Sequence, residues 1–175
     1  MASVIVVDDK DNEIGQCDKE VAHKQAIRHR AFSIFIFNTK GELLIQKRNP
    51  KKYHSGGLWS NSCCSHPEPG EKTDDAAYRR LGEEIGINCT LIEVFSFPYF
   101  TKVGEDIFEH EYDHVYSGIS DADPILNQHE AVDYTWINAT DLLLDMTAHE
   151  AKYTMWFKMI MNDSKYLELL NINPY

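Results

Sequence analysis

The segment NSCCSHPEPGEK, residues 61–72, concentrates groups that can do chemistry: two adjacent cysteines, a histidine and two glutamates. Thiol and imidazole groups this close together can bind a metal, form a redox pair or supply a catalytic nucleophile. A structural zinc site needs a second pair of Cys or His at close spacing, but Cys17 and Cys89 stand alone. A redox pair is more often spaced CxxC. The segment by itself leaves all three alternatives open.

A pair of glutamates in IFEHEYDHVYSG, residues 107–118, forms a second group of interest. The alternating pattern predicts a strand, in which side chains two positions apart share a face. Glu109 and Glu111 therefore lie together on one face. Two close carboxylates repel each other unless a cation or a shared proton relieves the repulsion. A solvated strand face is the simpler interpretation of the isolated pair, so a metal site needs further ligands.

Histidines elsewhere in the chain could supply those ligands. His23 and His29 lie upstream of a predicted central strand, and His66 belongs to the segment 61–72. Imidazole nitrogens together with carboxylates suit zinc, manganese or iron better than calcium. Spacing alone does not bring these residues together, and a histidine taken singly is more often a surface or core residue than a ligand.

The elements that must position these groups are predicted to be strands followed by a helix. SVIVVDDKDNEIG indicates a strand, a turn and a second strand, AFSIFIF indicates a central strand, and NTKG with ELLIQKR indicates a hairpin. TDDAAYRRLGEEIG predicts a helix that Thr73 caps and Gly86 ends. The predicted buried row of this helix is Ala77, Leu81 and Ile85.

The C-terminal part predicts a short strand, YTWIN, and a second long helix. Thr147 and Glu150 form a capping box, which would start a helix running to about Asn162. One row of that helix would be Ala151, Met155 and Met159, and the adjoining row would be Trp156 and Ile160. The whole pattern predicts an α+β fold in which a mixed β-sheet is sandwiched between helices.

The composition indicates one acidic domain. A chain of 175 residues can bury a single core, so we expect one domain over residues 1–175. The formal charge of −11 repels nucleic acid. The sequence shows no basic leader, no apolar run of transmembrane length and no disulfide framework among its four cysteines. These features predict a cytoplasmic protein with reduced thiols that binds neither nucleic acid nor a membrane.

The helical segment with its preceding turn, GEKTDDAAYRRLGEEIGI, resembles a degraded Nudix box. In that motif a Gly lies six residues before a Glu. The run Arg-Glu-apolar-x-Glu-Glu-x-Gly-apolar begins eight residues after this Glu. The matching positions are Glu71, Arg79, Leu81, Glu83, Glu84, Gly86 and Ile87. Ser65 stands where the first Gly belongs, and Arg80 replaces the first helical Glu. In Nudix hydrolases that Glu helps to hold the metal ions that activate water, so Arg80 argues against diphosphate hydrolysis.

Three segments, HRAFSIFIFN, LWSNSCCSHP and EHE, together resemble the type I isopentenyl diphosphate isomerases in their order and distances. The resemblance extends from Lys19 to Trp156. It implies a Nudix-like fold and the interconversion of isopentenyl and dimethylallyl diphosphate. It also implies one divalent metal ion, Mn²⁺ or Zn²⁺, with Mg²⁺ as a third candidate. The implied ligands are His23, His29, His66, Glu109 and Glu111.

The resemblance also implies catalytic roles. Cys64 aligns with the catalytic cysteine of the family, which favours an active-site role for the segment 61–72 and leaves Cys63 without one. Glu111 and Tyr99 would move protons on one face of the substrate, and Cys64 would serve the opposite face. Trp156 would stabilise a tertiary carbocation through its π face, although helical spacing alone favours a core role.

The diphosphate end of the substrate needs cations. By resemblance, the residues that contact it are Lys19, Arg48, Lys52 and Arg80. A second ion, Mg²⁺, is expected between the diphosphate, Glu84 and the backbone carbonyl of Cys64. The stretch HSGGLW, residues 54–59, replaces a more usual aromatic-Pro-Gly stretch. We expect Gly56 and Gly57 to loosen this loop, and the stretch to touch no catalytic group.

Two other functions are alternatives to the isomerase. The first is a Nudix hydrolase of a nucleoside diphosphate derivative, against which Arg80 and the set of Cys64, His66 and ExE weigh. The second is an inactive metal-binding or regulatory module, against which the presence of both Cys64 and Glu111 weighs. We expect the protein to act on a small molecule and to be a monomer or a weak homodimer.

Overall fold

The computed structural model describes residues 2–165 and 169, and a nine-stranded mixed sheet forms its centre. The strands are β1 (Ser3–Val7), β2 (Glu13–Asp18), β3 (His29–Phe37), β4 (Leu43–Arg48), β5 (Trp59–Ser60), β6 (Cys63–Ser65), β7 (Leu91–Gly104), β8 (Ile107–Ile119) and β9 (Ala131–Ile137). The helices are α1 (Lys19–Lys24), α2 (Thr73–Ile85), α3 (Ala139–Ala148) and α4 (Met155–Asn162), with a 3₁₀ turn at Glu150–Lys152. Helices cover both faces of the sheet, which confirms the predicted α+β sandwich.

The central strand β3 separates two apolar cores, because successive side chains of a strand point to opposite faces. Phe32, Ile34 and Ile36 pack in the core that contains the buried side of α2. Phe35 and Phe37 pack in the core that contains α3 and α4. All five side chains are almost completely buried. The prediction that this strand is apolar on both faces is therefore confirmed.

The pairing of β7, β8 and β3 aligns residues that are far apart in the sequence. β8 runs parallel to β3, with Glu111 opposite His29. β7 runs antiparallel to β8, with Tyr99 opposite the same Glu111. Residues directly opposite each other in paired strands point to the same face. His29, Glu111 and Tyr99 therefore form one row across the sheet.

Helix α2 follows the predicted segment closely. Its buried row includes Ala77, Leu81 and Ile85, as predicted. Gly86 ends the helix in the left-handed conformation, with φ of 68°. The predicted Thr73 cap is wrong, because Lys72 occupies the cap position and makes no side-chain cap bond. In the preceding turn the Glu71 carboxylate accepts the Glu68 N–H, and Thr73 is already the first residue of the helix.

The predicted capping box in the C-terminal part is also wrong. Asn138 caps α3 by accepting the Asp141 N–H at 2.9 Å, so a helix already runs through Thr147 instead of starting after it. Glu150 then lies in the 3₁₀ turn. The cap that the chain uses, Asn138, lies nine residues before the predicted cap, Thr147.

Helix α4 buries only one of the two rows predicted for it. Trp156 and Ile160 are buried in the core with α3, as predicted. Ala151 lies in the separate 3₁₀ turn, and Met155 is exposed at the first position of α4. The other predicted row fails because α4 begins at Met155. Ala151 lies outside the helix, so its side chain is not aligned with those of Met155 and Met159.

Two predictions about the chemical environment can be compared with the structure. No helix in the described part of the chain is long and apolar enough to cross a membrane. Cys17, Cys63, Cys64 and Cys89 are free thiols, as the absence of a disulfide framework in the sequence predicted.

Candidate active site

A cavity of about 330 Å³, lined by residues of β3, β8, α2 and α4, gathers most of the predicted site residues. The predicted residues that line it are Lys19, Arg48, Lys52, Cys64, His66, Arg80, Glu84, Tyr99, Glu109, Glu111 and Trp156. His23 and His29 are completely buried, and each lies next to one of the two cavity glutamates. Folding thus brings every predicted site residue into or next to one cavity.

Three histidines surround the two glutamates of β8. His29 Nε2 and His66 Nε2 lie 3.4 Å and 2.9 Å from the same atom, Glu111 Oε1. His23 Nε2 lies 3.2 Å from Glu109 Oε2. Both glutamates are buried and line the same cavity, which confirms that they share a face of the strand.

Backbone hydrogen bonds determine which nitrogen of each buried imidazole faces the carboxylates. His23 Nδ1 lies 2.6 Å from the Lys19 carbonyl oxygen, and His29 Nδ1 lies 2.8 Å from the Ile27 carbonyl oxygen. A carbonyl oxygen can only accept, so Nδ1 carries the proton in both rings and Nε2 keeps its lone pair. Helix α1, which Asp18 caps, places His23 at this position.

Burial keeps the imidazoles of His23 and His66 neutral. It lowers the pKa of His23 to about 4, with help from His29, and it lowers the pKa of His66 well below its usual value. The glutamates differ from each other. Burial and the neighbouring Glu111 raise the pKa of Glu109. Burial acts in the same direction on Glu111, but the close approach of the His29 and His66 rings lowers its pKa overall.

The cluster fits a divalent metal ion. Three of its buried atoms, His23 Nε2, His29 Nε2 and Glu109 Oε2, make no hydrogen bond within the described part of the chain. Leaving a buried polar atom unpaired costs about 1–3 kcal/mol, and a bound cation would remove that cost. Ligand atoms of His23, His29, His66 and Glu111 lie within 4.8 Å of one another. Imidazole nitrogen and carboxylate oxygen are donors that bind zinc, manganese and iron.

His54 also belongs to this cluster. The expectation that residues 54–59 touch no catalytic group is wrong, because the ring of His54 packs against that of Trp156. Its Nε2 lies 3.3 Å from Glu109 Oε1. Its ring centroid lies 5.6 Å from that of His23 and 6.0 Å from that of Trp156. Burial, together with the charge of Arg48, lowers the pKa of His54 to about 3. The only sequence signal for this residue was the departure from the aromatic-Pro-Gly stretch at that position.

The loop that carries His54 is tightly packed, contrary to the expectation that its glycines loosen it. A Cβ atom on Gly56 would lie 2.6 Å from the Pro50 carbonyl oxygen, a distance that real Cβ atoms do not adopt. Gly57 has φ of 78°, which favours glycine. Arg48 anchors the loop by donating to the His54 carbonyl oxygen at 3.4 Å. The glycines therefore permit a close turn.

The two adjacent cysteines have different surroundings. Cys64 lines the cavity, where its Sγ lies 3.6 Å from Ser60 Oγ and donates to Asn61 Oδ1 at 3.5 Å. Burial raises the pKa of the Cys64 thiol to about 12, so the group is a neutral thiol at neutral pH. Cys63 is completely buried in the apolar core with α2. Only Cys64 can meet a ligand in the cavity.

Tyr99 and Trp156 form further parts of the cavity wall. Tyr99 Oη donates to Glu111 Oε2 at 2.5 Å. Trp156 Nε1 donates to Ser60 Oγ at 3.1 Å, and the same Oγ lies near the Cys64 thiol. Ser60, which the sequence patterns did not single out, therefore connects Trp156 to Cys64. Trp156 is at once a core residue and a cavity residue.

Cationic side chains line the same cavity. They are Lys19, Arg48, Lys52 and Arg80. Within the described part of the chain, only Lys52 and Arg80 of these four pair with carboxylates. Lys52 pairs with Glu130, and Arg80 pairs with Glu84 at 2.6 Å, Glu83 at 2.8 Å and Glu130 at 3.0 Å. Burial acts to lower the pKa of Arg80, but the neighbouring Glu84 and Glu130 raise it overall. An anionic ligand would thus meet two cations, Lys19 and Arg48, that have no carboxylate partner among the described residues. The other two, Lys52 and Arg80, already pair with carboxylates.

Comparisons with known proteins show the family of the chain. The NUDIX domain family model matches residues 27–157. The chain is 49% identical to isopentenyl-diphosphate Delta-isomerase 2 of Aromatoleum aromaticum, over 87% of this chain and 81% of that protein. It is 47% identical to isopentenyl-diphosphate Delta-isomerase 2 of Photorhabdus laumondii, over 95% of this chain and 94% of that protein.

Solved structures show the same fold at lower sequence identity. DR0079 of Deinococcus radiodurans superposes with a TM-score of 0.74 at 22% identity, covering 90% of this chain and 96% of that one. A MutT protein of Methanosarcina mazei superposes with a TM-score of 0.64 at 20% identity, covering 77% of this chain and 90% of that one. At these identities the likeness concerns the fold alone.

Proposed function

Because the chain belongs to the isopentenyl-diphosphate Delta-isomerases, a family built on the NUDIX domain, it is an isomerase of isopentenyl diphosphate, and we propose that the cavity described above is where it acts. One observation carries the proposal: two groups able to exchange protons, Cys64 and the Glu111–Tyr99 pair, line the same cavity as four cationic side chains. The reaction requires both features, because its substrate combines an alkene with a diphosphate.

The isomerisation moves a double bond by one carbon. A proton adds to the terminal methylene carbon, positive charge forms at the tertiary carbon, and a proton leaves the neighbouring methylene. An unactivated alkene is a very weak base, so the site must supply an acid, a base and shelter from water. The two proton carriers must therefore be buried and close to the same carbon skeleton.

Cys64 and the Glu111–Tyr99 pair are proposed as those carriers. At rest Cys64 holds its proton as a neutral thiol, since burial raises its pKa. Glu111 is ionised by its histidine neighbours and accepts the hydrogen bond from Tyr99, so this pair holds one proton between two oxygen atoms. Each carrier can give a proton and take one back, as a reversible isomerisation requires.

Trp156 is proposed to stabilise the carbocation with its indole ring. The ring lines the cavity, and its Nε1 is held by Ser60. The Arg48 guanidinium carbon lies 5.1 Å from the centroid of this ring, so the π system already lies next to one positive charge. An indole face is the most favourable aromatic surface for a cation, with gains of roughly 0.5–2 kcal/mol.

A divalent metal ion is proposed for the histidine and glutamate cluster. The residues that would hold it are His23, His29, His66, Glu109 and Glu111, and Mn²⁺ or Zn²⁺ suits this donor set better than Mg²⁺. When bound, the ion would add positive charge next to Glu111 and favour its carboxylate form. The protein itself supplies the neutral imidazoles and the orientation of both carboxylates.

The diphosphate is proposed to lie against Lys19, Arg48, Lys52 and Arg80. Glu84 and the Cys64 carbonyl oxygen would hold a Mg²⁺ ion, which would supply further positive charge for the diphosphate. Glu83, Glu84 and Glu130 share the Arg80 guanidinium. An Mg²⁺ ion on Glu84 would weaken the ion pair between Glu84 and Arg80 and leave Arg80 more available to a phosphate oxygen.

A cytoplasmic location and a monomeric or weakly dimeric state remain predictions of the sequence.

The test is to incubate the purified protein with isopentenyl diphosphate and Mg²⁺ and to follow both possible outcomes by NMR. We expect dimethylallyl diphosphate to accumulate to an equilibrium mixture without release of phosphate. In deuterated water, deuterium should enter the product carbon skeleton. Release of phosphate from a nucleoside diphosphate derivative at a faster rate than isomerisation would favour the hydrolase alternative.

A further inference from the structure

Two groups of metal-ligating side chains overlap in the cluster. One consists of His23, His29, His66 and Glu111, and the other consists of His23, His54 and Glu109. In each group the ligand atoms lie within 4.8 Å of one another, and all but His66 belong to buried residues. The second group contains His54, to which the comparison with the isomerase family gave no role.

The two groups cannot hold separate ions, because they share one lone pair. His23 Nδ1 donates to the Lys19 carbonyl oxygen at 2.6 Å, so only Nε2 of this ring can bind a metal. That atom is buried and unpaired. One imidazole nitrogen binds one ion, and the ligand atoms of both groups lie within 4.8 Å of this nitrogen.

We propose that His54 is a sixth protein ligand, and that the metal centre is formed by four imidazoles and two carboxylates. His54 Nε2 lies 3.3 Å from Glu109 Oε1, and His23 Nε2 lies 3.2 Å from Glu109 Oε2. The two contacts involve different oxygen atoms of Glu109. Each is close to the separation of roughly 3 Å between neighbouring ligands of an octahedral ion with bonds of about 2.1 Å. The proposal rests on the metal centre proposed above.

The loop between β4 and β5 is built to hold His54 in place. Arg48 donates to the carbonyl oxygen of His54 itself, and the close approach of Gly56 to Pro50 fixes the turn that follows. Tyr53 packs edge-on against both His54 and His23. A ligand on such a loop needs no large rearrangement to reach the ion.

A sixth protein ligand has a chemical consequence. An ion with six protein donors keeps no open coordination position, which is typical of closed sites, whereas an ion that binds substrate or activates water keeps one position open. The ion would then bind neither substrate nor water. It would affect the reaction only through the positive charge that it places next to Glu111. Four imidazoles also favour a transition metal over Mg²⁺, which prefers oxygen ligands.

The experiment counts coordinated imidazoles directly. Protein with nitrogen-labelled histidine is loaded with an NMR-active Cd²⁺ isotope, and each imidazole nitrogen bonded to the ion then shows a scalar splitting that a hydrogen bond to Glu109 cannot produce. We expect four split resonances in the wild type and three in His54→Phe, which keeps an aromatic ring next to Trp156. The matched control is Tyr53→Phe on the same loop, which should keep all four.

Binding titrations with Cd²⁺ provide a second measure. Loss of a direct ligand should weaken binding at least as much as loss of an outer-shell partner, roughly 10- to 100-fold, while Tyr53→Phe should bind as the wild type does. Three split resonances in the wild-type protein would overturn the proposal, and this result does not depend on whether His54→Phe folds. Three split resonances would not contradict the isomerase function, which the isomerase assay tests separately. A protein that binds no Cd²⁺ at the histidines would contradict the proposed metal centre as a whole.

Discussion

At the scale of single residues, the two adjacent cysteines provide a direct test of the proposed chemistry. Cys64→Ala should abolish isomerisation, because it removes a proton carrier from the cavity wall. Cys63→Ala is the matched control and should keep most of the activity, since Cys63 lies in the apolar core. The measurement is the initial rate of dimethylallyl diphosphate formation, with thermal unfolding of both variants to check folding.

The control also limits the interpretation of that result. Cys63→Ala leaves a small cavity in the core, so a destabilisation of about 1 kcal/mol is expected for it without loss of rate at moderate temperature. Equal loss of activity in both variants would instead support a paired-thiol function. Only an effect confined to Cys64 agrees with the different surroundings of the two thiols.

A second residue-scale prediction concerns metal content. His66→Ala should lower the bound metal sharply, because it removes a nitrogen that lies 2.9 Å from Glu111 Oε1. His114→Ala is the control: His114 lies on the other face of β8 and pairs with Asp11 and Glu93. Elemental analysis after dialysis measures the effect. A metal content of His66→Ala equal to that of the wild type would remove His66 from the ligand set.

At the scale of elements, the sequence indicated which residues gather in the cavity, but it did not indicate how the strands pair to bring them together. The alternation of β8 correctly placed Glu109 and Glu111 on one face, because period two is a local property. The contact of His29 with Glu111 depends on the parallel pairing of β3 with β8, which no local pattern reveals. The sequence analysis gave no strand for residues 91–104. Pro98 is tolerated in β7 because, among the described residues, this strand pairs with β8 alone.

The loop between β4 and β5 carries an element-scale prediction. Gly56→Ala would place a Cβ atom 2.6 Å from the Pro50 carbonyl oxygen, and the backbone must move to relieve the overlap. We expect a loss of about 1–3 kcal/mol in the free energy of unfolding, as for other overpacked sites. Gly15→Ala is the matched control, because nothing lies within 4 Å of its Cβ position. Urea denaturation of both variants measures the difference, and equal stabilities would mean that the loop is loose.

At the scale of the whole molecule, the position where this chain departs from the Nudix hydrolase motif lies in the middle of α2. The hydrolase motif requires a carboxylate where this chain has Arg80. Here the guanidinium joins Glu84 of α2 to Glu130 near β9, next to Lys52. In a chain with a formal charge of −11, a local group of cations is what allows an anionic substrate to approach.

This contrast leads to a prediction for Arg80. Arg80→Ala should weaken binding of isopentenyl diphosphate by on the order of 10- to 100-fold, since a charge-assisted contact contributes about 1.5–3 kcal/mol. Arg80→Glu should isomerise even more slowly, because it places another carboxylate next to Glu84, Glu130 and the diphosphate. It should also release a trace of phosphate if metal ions gather there as in a hydrolase. Both variants leave Glu84 without its partner, so Arg80→Lys, which keeps the charge, separates loss of charge from loss of packing. The measurements are substrate titration, product formation and phosphate release; full isomerase activity in Arg80→Glu would show that Arg80 does not bind the diphosphate.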